Sequence, residues 1–299
     1  MQASRTQGRQ DFAVKPLIEA REALLFGSAL FLDVRTLDDF RTAHLAGAVR
    51  VPVEWWEAAA KQQRTSLDNV HFWQAEIGAL GIDGSRTALI YDDGRLTEAA
   101  RIWFILQHFG VPARVVNGGW PHLAGLPRQS GDGAAPGNAA FTAQTGTSQA
   151  SLTDRADLLR GLGGPQRILD ARSAAEFTGQ DLRKNARGGH LPGALHLAHT
   201  RLVGADGRLR PAAELRDIFL GAGLHPGDAV VTHCDGGGRA ALAALALLQA
   251  GFGDVQAYYL SFADWARDES CPIVRAPVWQ ATGAGVSREA GHRPEMSGA

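Results

Sequence analysis

The segment Val230-Val231-Thr232-His233-Cys234-Asp235-Gly236-Gly237-Gly238-Arg239 runs directly into Ala240-Ala241-Leu242-Ala243-Ala244-Leu245. An apolar run ends on a cysteine, three glycines follow, and a helix-forming run begins. The pattern predicts strand, tight loop and helix, with a thiol where the loop starts. Glycines allow successive backbone N–H groups to converge on one point. The start of the next helix adds its partial positive charge at the same place. Together these favour the thiolate of Cys234, the reactive form. The alternative is a buried, inert cysteine closing a core strand. A strand end has no need of three glycines, each of which costs backbone entropy.

Working outward, the chain repeats itself. Phe31-Leu32-Asp33-Val34-Arg35 recurs as Ile168-Leu169-Asp170-Ala171-Arg172. His44-Leu45-Ala46-Gly47-Ala48 recurs as His190-Leu191-Pro192-Gly193-Ala194, and Leu89-Ile90-Tyr91-Asp92 as Val231-Thr232-His233-Cys234. The offset drifts from one pair to the next, so the repeat is a duplicated domain with loop changes and not a solenoid. In copy one, strands are predicted at 30–34, 49–52, 87–91 and 114–116, with helices at 17–26, 37–42, 72–80 and 97–109. In copy two, strands are predicted at 167–171, 195–197, 229–233 and 256–259, with helices at 154–162, 213–222 and 239–250. This alternation predicts an α/β fold: two tandem domains, each a mainly parallel sheet with helices on both faces. Ligands of such sheets sit at the carboxyl ends of strands, where Cys234 and Asp92 both fall.

The expected boundaries are a first domain over 1–128, a linker over 129–150, a second domain over 151–277 and a disordered polar tail over 278–299. The chain has 299 residues, enough for two cores, and a formal net charge of −1. That balance points away from nucleic acid and membrane surfaces as partners. Two cysteines make no disulfide framework and fit a reducing compartment. With no apolar leader in the first residues and no membrane-length apolar run, a cytoplasmic location is expected.

Read together, these residues resemble the tandem rhodanese-type sulfurtransferases, the thiosulfate and 3-mercaptopyruvate sulfurtransferases. The marks are Asp-x-Arg at the first strand end, Gly189 to Ala194, and the Cys-x-x-Gly-x-Arg loop from Cys234 to Arg239. Copy one adds Tyr91-Asp92-Asp93-Gly94, Ala100-Arg101-Ile102-Trp103 and Asn117-Gly118-Gly119-Trp120, a pattern similar to the family's inactive N-terminal domain. The resemblance implies that Cys234 accepts a sulfane sulfur from a small donor as a persulfide. It then passes the sulfur to a thiophilic acceptor: cyanide, a thiol or a thioredoxin-like protein. The amides of Asp235, Gly236, Gly237, Gly238 and Arg239 would stabilise the terminal sulfur anion. No cofactor and no metal is implied. Asp92 replaces the thiol in copy one, so that copy is expected to be catalytically silent. Asp92 and Asp93 are then solvated or helix-capping groups, with a role as functional acids the alternative.

The departures are informative. Asp235 follows the cysteine, matching neither the small polar loop of mercaptopyruvate enzymes nor the basic loop of thiosulfate enzymes. An acid beside the thiolate disfavours a dianionic donor unless it faces solvent. Glu176 stands before Phe177, where mercaptopyruvate members carry a carboxylate-binding arginine. Arg183 holds the place of a second such arginine, and Arg187 is a nearby substitute; the alternative for both is a solvated loop residue. Arg239 either adds charge at the helix start or clasps the loop carbonyls or Asp170. His233 is expected to pack in the core, facing away from the thiol. His196 and His199 lack a third ligand, Cys271 is a bystander, and Trp55, Trp56, Trp73 and Trp103 are core or interface residues. A cysteine phosphatase would need five residues between Cys and Arg, where this loop has four. A nicotinamide enzyme would need Gly-x-Gly-x-x-Gly after the first strand, which is lacking. The non-enzymatic alternative is a sulfur-carrier or binding module for a specific partner protein.

Overall fold

A computed structural model describes residues 15–27, 29–133 and 137–275. The first residues, read for a leader, and the tail over 278–299 lie outside the described residues. In copy one the strands are β1 (Leu17–Ile18), β2 (Leu30–Asp33), β3 (His44–Leu45), β4 (Val49–Arg50), β5 (Ala88–Tyr91), β6 (Ala113–Val116) and β7 (Arg128–Gln129). Its helices are α1 (Ala20–Ala23), α2 (Leu37–Thr42), α3 (Val53–Ala60), α4 (Val70–Gly78) and α5 (Thr97–His108). Copy two has β8 (Ala150–Thr153), β9 (Arg167–Asp170), β10 (Leu195–His196), β11 (Ala229–His233) and β12 (Asp254–Tyr258). Its helices are α6 (Arg155–Arg160), α7 (Ala174–Thr178), α8 (Ala212–Gly221), α9 (Gly238–Gln249) and α10 (Ser261–Arg267).

Each copy forms a five-stranded sheet, ordered β1-β6-β5-β2-β4 in the first and β10-β9-β11-β12-β8 in the second. Every pairing within both sheets is parallel, as the alternation of strands and helices predicted. The central strands are buried on both faces, which explains their continuous apolar runs such as Ala88-Leu89-Ile90-Tyr91. β3 and β7 form a separate antiparallel pair.

The edge strands depart from expectation. The predicted helix at 17–26 begins instead as β1, with Leu17 and Ile18 paired to Val115 and Val116. β8, which no prediction covered, pairs with β12. Two to four residues carry too little periodicity to reveal a strand; an exposed ladder on the neighbouring strand decides them. α3 also escaped prediction, although Val53, Trp56, Ala59 and Ala60 form one buried stripe along it.

Both repeated motifs are clasps. Arg35 grips Asp33 at 2.5 Å and the Ala43 carbonyl at 2.7 Å. Arg172 grips Asp170 at 2.6 Å and the Gly189 carbonyl at 2.7 Å. His44 stacks on Phe40 and His190 on Phe177, each with ring centroids 3.8 Å apart. These contacts tie α2 and α7 to the segments that follow them.

The two sheets meet through α5 and α9, the helices that follow Asp92 and Cys234. Ala99 to Gln107 on α5 and Ala240 to Leu247 on α9 are buried throughout. Five alanines within that stretch of α9 let the helix axes approach closely, while Leu242, Leu245 and Leu247 each contribute about 1.5–3 kcal/mol by full burial. Tyr259 of copy two stacks on Phe104 of copy one at 5.9 Å. Trp56, Trp73 and Trp103 are core residues as expected, but Trp55 is 45% exposed. Its indole N–H donates to Glu76 at 2.9 Å on the surface.

Candidate active site

β11 delivers Cys234 to the carboxyl edge of the second sheet, and α9 leaves from the same point four residues later. The thiol is buried, 1% exposed. The Gly237 amide donates to Cys234 Sγ at 3.1 Å. Gly237 adopts φ +101°, and a Cβ there would lie 2.9 Å from the Tyr259 ring, so only glycine fits. A Cβ on Gly238 would lie 2.9 Å from Nη2 of Arg101, the arginine of α5 in copy one.

The loop carbonyls face outward, each held by a donor. Cys234 O accepts from Phe262 N at 3.0 Å, and Asp235 O from Ala263 N at 3.2 Å. Gly236 O accepts from Arg101 Nη1 at 2.8 Å. Outward carbonyls turn the amides of the following residues inward, which is the geometry of an anion-binding nest. Ser261 supports the thiol from below: its Oγ accepts from Cys234 N at 3.1 Å and lies 3.7 Å from Sγ. Ser261 itself is held at φ +61°, a left-handed conformation that a serine seldom adopts.

The loop opens on a cavity of about 1050 Å³ lined by both copies. Copy one contributes Glu57, Lys61 and Arg101; copy two contributes Arg183, Asp235 and Arg239. Lys61 pairs with Glu57 at 2.5 Å, and Arg101 with Glu98 at 2.7 Å. Among the described residues the Arg183, Lys184 and Arg267 side chains form no ion pair, yet all three line the cavity. The site therefore offers unneutralised positive charge to an anion.

The structure brings together most of the residues singled out above. Cys234, Asp235, Gly236, Gly238, Arg239 and Arg183 all face the cavity, and Gly237 contacts the sulfur. Arg187 does not join them. Its guanidinium donates to the carbonyls of Ala266 at 2.9 Å, Cys271 at 2.9 Å, Trp265 at 3.1 Å and Asp268, and so clamps the end of α10. The expectation that it substitutes as a carboxylate clamp is corrected: a helix C-terminus left its carbonyls open, and the nearest cation took them. Arg239 is a clasp, but neither on loop carbonyls nor on Asp170. It pairs bidentately with Glu176 at 2.7 and 2.8 Å. The acid that breaks the family pattern thus has as its partner the arginine that closes the cysteine loop. Burial alone would raise the Glu176 carboxyl, but hydrogen bonds from Arg239 and the Ser173 amide hold it down to about 2.

Asp235 Oδ1 accepts from Asn185 Nδ2 at 2.7 Å, which ties the Arg183 loop to the cysteine loop. His233 is fully buried on the opposite face, its Nε2 3.5 Å from Asp170 Oδ2, as the strand alternation required. His196 turns to the Arg172 carbonyl at 2.9 Å, while His199 faces the cavity; burial and then Arg239 lower its basicity. Cys271 is buried away from the cavity. Asp92 is also buried: it accepts from the Gly94 amide at 2.9 Å within its loop and from the Ala99 amide at 3.3 Å in the first turn of α5, so of its two expected roles it caps the helix and is not solvated.

Two contributors were not anticipated from sequence. Arg101 had been noted only as part of a pattern; its signal was a lone cation within the apolar run of α5. Ser261 had no signal, because its role depends on a strained turn after β12.

The Rhodanese-like domain model matches the chain twice, over residues 17–124 and 154–268. The 3-mercaptopyruvate sulfurtransferase of Escherichia coli (strain K12) is 29% identical over 251 residues, covering 81% of this chain and 86% of that protein. The thiosulfate sulfurtransferase of Gallus gallus is 24% identical over 282 residues, covering 88% and 95%. The anaerobic ergothioneine biosynthesis enzyme from Chlorobium limicola superposes with a TM-score of 0.78 at 20% identity, over 87% of this chain and 70% of that one, a likeness of fold. With the domain matched in each half and a five-stranded parallel sheet in each, the chain belongs to the rhodanese-like domain family, as a tandem pair.

Proposed function

We propose that this sulfurtransferase moves a sulfane sulfur from a small anionic donor, thiosulfate or 3-mercaptopyruvate, to cyanide or a thiol through a persulfide on Cys234. The observation that carries the reading is the Gly237 amide 3.1 Å from Sγ, in a loop whose Cys234, Asp235 and Gly236 carbonyls are each held by a donor from outside the loop. With thiosulfate, the Cys234 thiolate attacks the sulfane sulfur. A new S–S bond forms, the bond to the sulfonate breaks, and sulfite leaves with its electron pair. With 3-mercaptopyruvate the carbon–sulfur bond breaks, and the pyruvate enolate leaves and takes up a proton. The terminal sulfur anion then sits among the inward amides, where fixed donors stabilise it without reorganisation. An acceptor nucleophile attacks that sulfur, and the Cys234 thiolate is restored as the leaving group.

Arg183, Lys184 and Arg267 would draw and hold the donor's carboxylate or sulfonate. Asp92 cannot accept a sulfane sulfur, so copy one acts as the wall of the cleft and the support of the loop. The test is intact mass after incubation with each donor and then with cyanide. A gain of one sulfur mapped to Cys234, lost on cyanide with thiocyanate released, is the expected result. No gain from either donor, with a gain from a persulfidated carrier protein, would replace this reading with that of a protein-fed sulfur carrier.

A further inference from the structure

We propose that Arg101, which belongs to the copy without a thiol, is a positioning residue for the Cys234 sulfur and acts through a single peptide plane. The proposal rests on the reading of Cys234 as the sulfur carrier. The Gly236 carbonyl and the Gly237 amide are the two ends of one peptide unit, and in a trans peptide they point in opposite directions. Arg101 Nη1 donates to the oxygen end at 2.8 Å. The nitrogen end donates to Cys234 Sγ at 3.1 Å. A cation bonded to the oxygen draws electron density along the peptide and strengthens the N–H as a donor.

The same contact fixes which way the peptide faces. It is flanked by Gly236 and Gly237, the residues with least steric resistance to rotation, and Gly237 is already at φ +101°. Rotation of that plane would set a carbonyl oxygen against the sulfur and remove the amide, which would disfavour a thiolate or persulfide anion. No other side chain among the described residues bonds the Gly236 carbonyl.

Arg101 is itself immobilised for this task. Its side chain is 6% exposed and bonds Glu98 Oε2 at 2.7 Å and Tyr259 Oη at 3.2 Å, with Glu57 Oε1 3.5 Å away. A charge this buried is costly to keep for stability alone. The third glycine of the loop is its counterpart, since a Cβ on Gly238 would press on Arg101 Nη2 at 2.9 Å. The silent copy thus reaches across the interface and sets the polarity of the loop that holds the sulfur.

The test compares the full chain with Arg101→Met and Arg101→Lys. The readout is the pH dependence of Cys234 alkylation by iodoacetamide, with the adduct mapped to separate Cys234 from Cys271. Thiosulfate:cyanide turnover is measured in parallel. Glu57 on α3, Lys61 just past its end, Glu98 on α5, Asp235 and Arg239 on the loop side and His199 across the cavity remain in both variants. In Arg101→Met the alkylation midpoint is expected to rise by about one pH unit, or about tenfold less thiolate at a fixed pH below it. kcat is expected to fall more than KM rises, and Arg101→Lys, which keeps a cationic donor, is expected to recover most of both. An unchanged midpoint in a folded Arg101→Met protein overturns the proposal. If that variant fails to fold, Gly238→Ala crowds Arg101 off the carbonyl while leaving its charge present, and the same rise or its absence decides. A shifted midpoint in a chain that takes up no sulfur from either donor supports the positioning role and sinks the transfer reading instead.

Discussion

Glu176 and Arg239 face each other across the rim of the cysteine loop, joined by two hydrogen bonds of 2.7 and 2.8 Å. Glu176 also completes a capping box with Ser173 at the start of α7. One carboxylate therefore anchors a helix and neutralises Arg239, the cation that closes the cysteine loop. Glu176→Gln keeps the helix cap but frees the charge of Arg239. The KM for thiosulfate is expected to fall severalfold, measured by steady-state kinetics. An unchanged KM would mean that the donor never meets Arg239.

The same pair sets a pH dependence of stability. The folded Glu176 carboxyl sits at about 2, below its ordinary 4.5. A depressed acid contributes its full stability above the unfolded value and loses it as pH falls from 4.5 through about 2. The loss is on the order of 3 kcal/mol. Denaturant titrations of wild type and Glu176→Gln between pH 6 and pH 2.5 should show wild type losing more by about this amount. Parallel curves would contradict the pairing.

Asp92 carries the opposite sign. Burial raises its carboxyl to about 6, only partly offset by the Gly94 and Ala99 amides. A raised acid favours the fold while protonated, so its contribution is greatest below 3.8 and is lost as pH rises through about 6. Relative to Asp92→Asn, wild type is expected to lose on the order of 3 kcal/mol between pH 3.5 and pH 7.5. A constant difference between the two proteins would show that burial does not raise the Asp92 carboxyl above its ordinary value.

Asp235→Asn removes a negative charge from the cavity wall and still offers Asn185 an acceptor. The KM for thiosulfate should fall about threefold or more, with kcat little changed. A rise in KM would mean that the acid orders the Arg183 loop through its charge.

Arg187→Ala tests the corrected assignment of that arginine. Loss of a cation bonded to four carbonyls should lower stability by about 2–4 kcal/mol. The KM for either donor should stay within about twofold, as expected for a group outside the cavity. Thermal melts and kinetics on the same preparation check both.

The amino-acid sequence by itself determined the duplication, the parallel α/β architecture of each copy and the location of the thiol. Those rest on local rules: buried parallel strands are written as continuous apolar runs, and a Cys-glycine-helix junction has few other uses. It also marked the two places where the loop and α7 break the family pattern, at Asp235 and Glu176. That Glu176 pairs with Arg239 and Asp235 with Asn185 depends on chain 63 and 50 residues apart being folded back on itself. The same holds for Arg101, which lies 135 residues from the carbonyl it grips, for Ser261 beneath the sulfur, and for Arg187 on the end of α10. A guanidinium reaches whichever carbonyl or carboxylate the packing leaves open, and for Arg101 it is the meeting of α5 with α9 that determines which one that is.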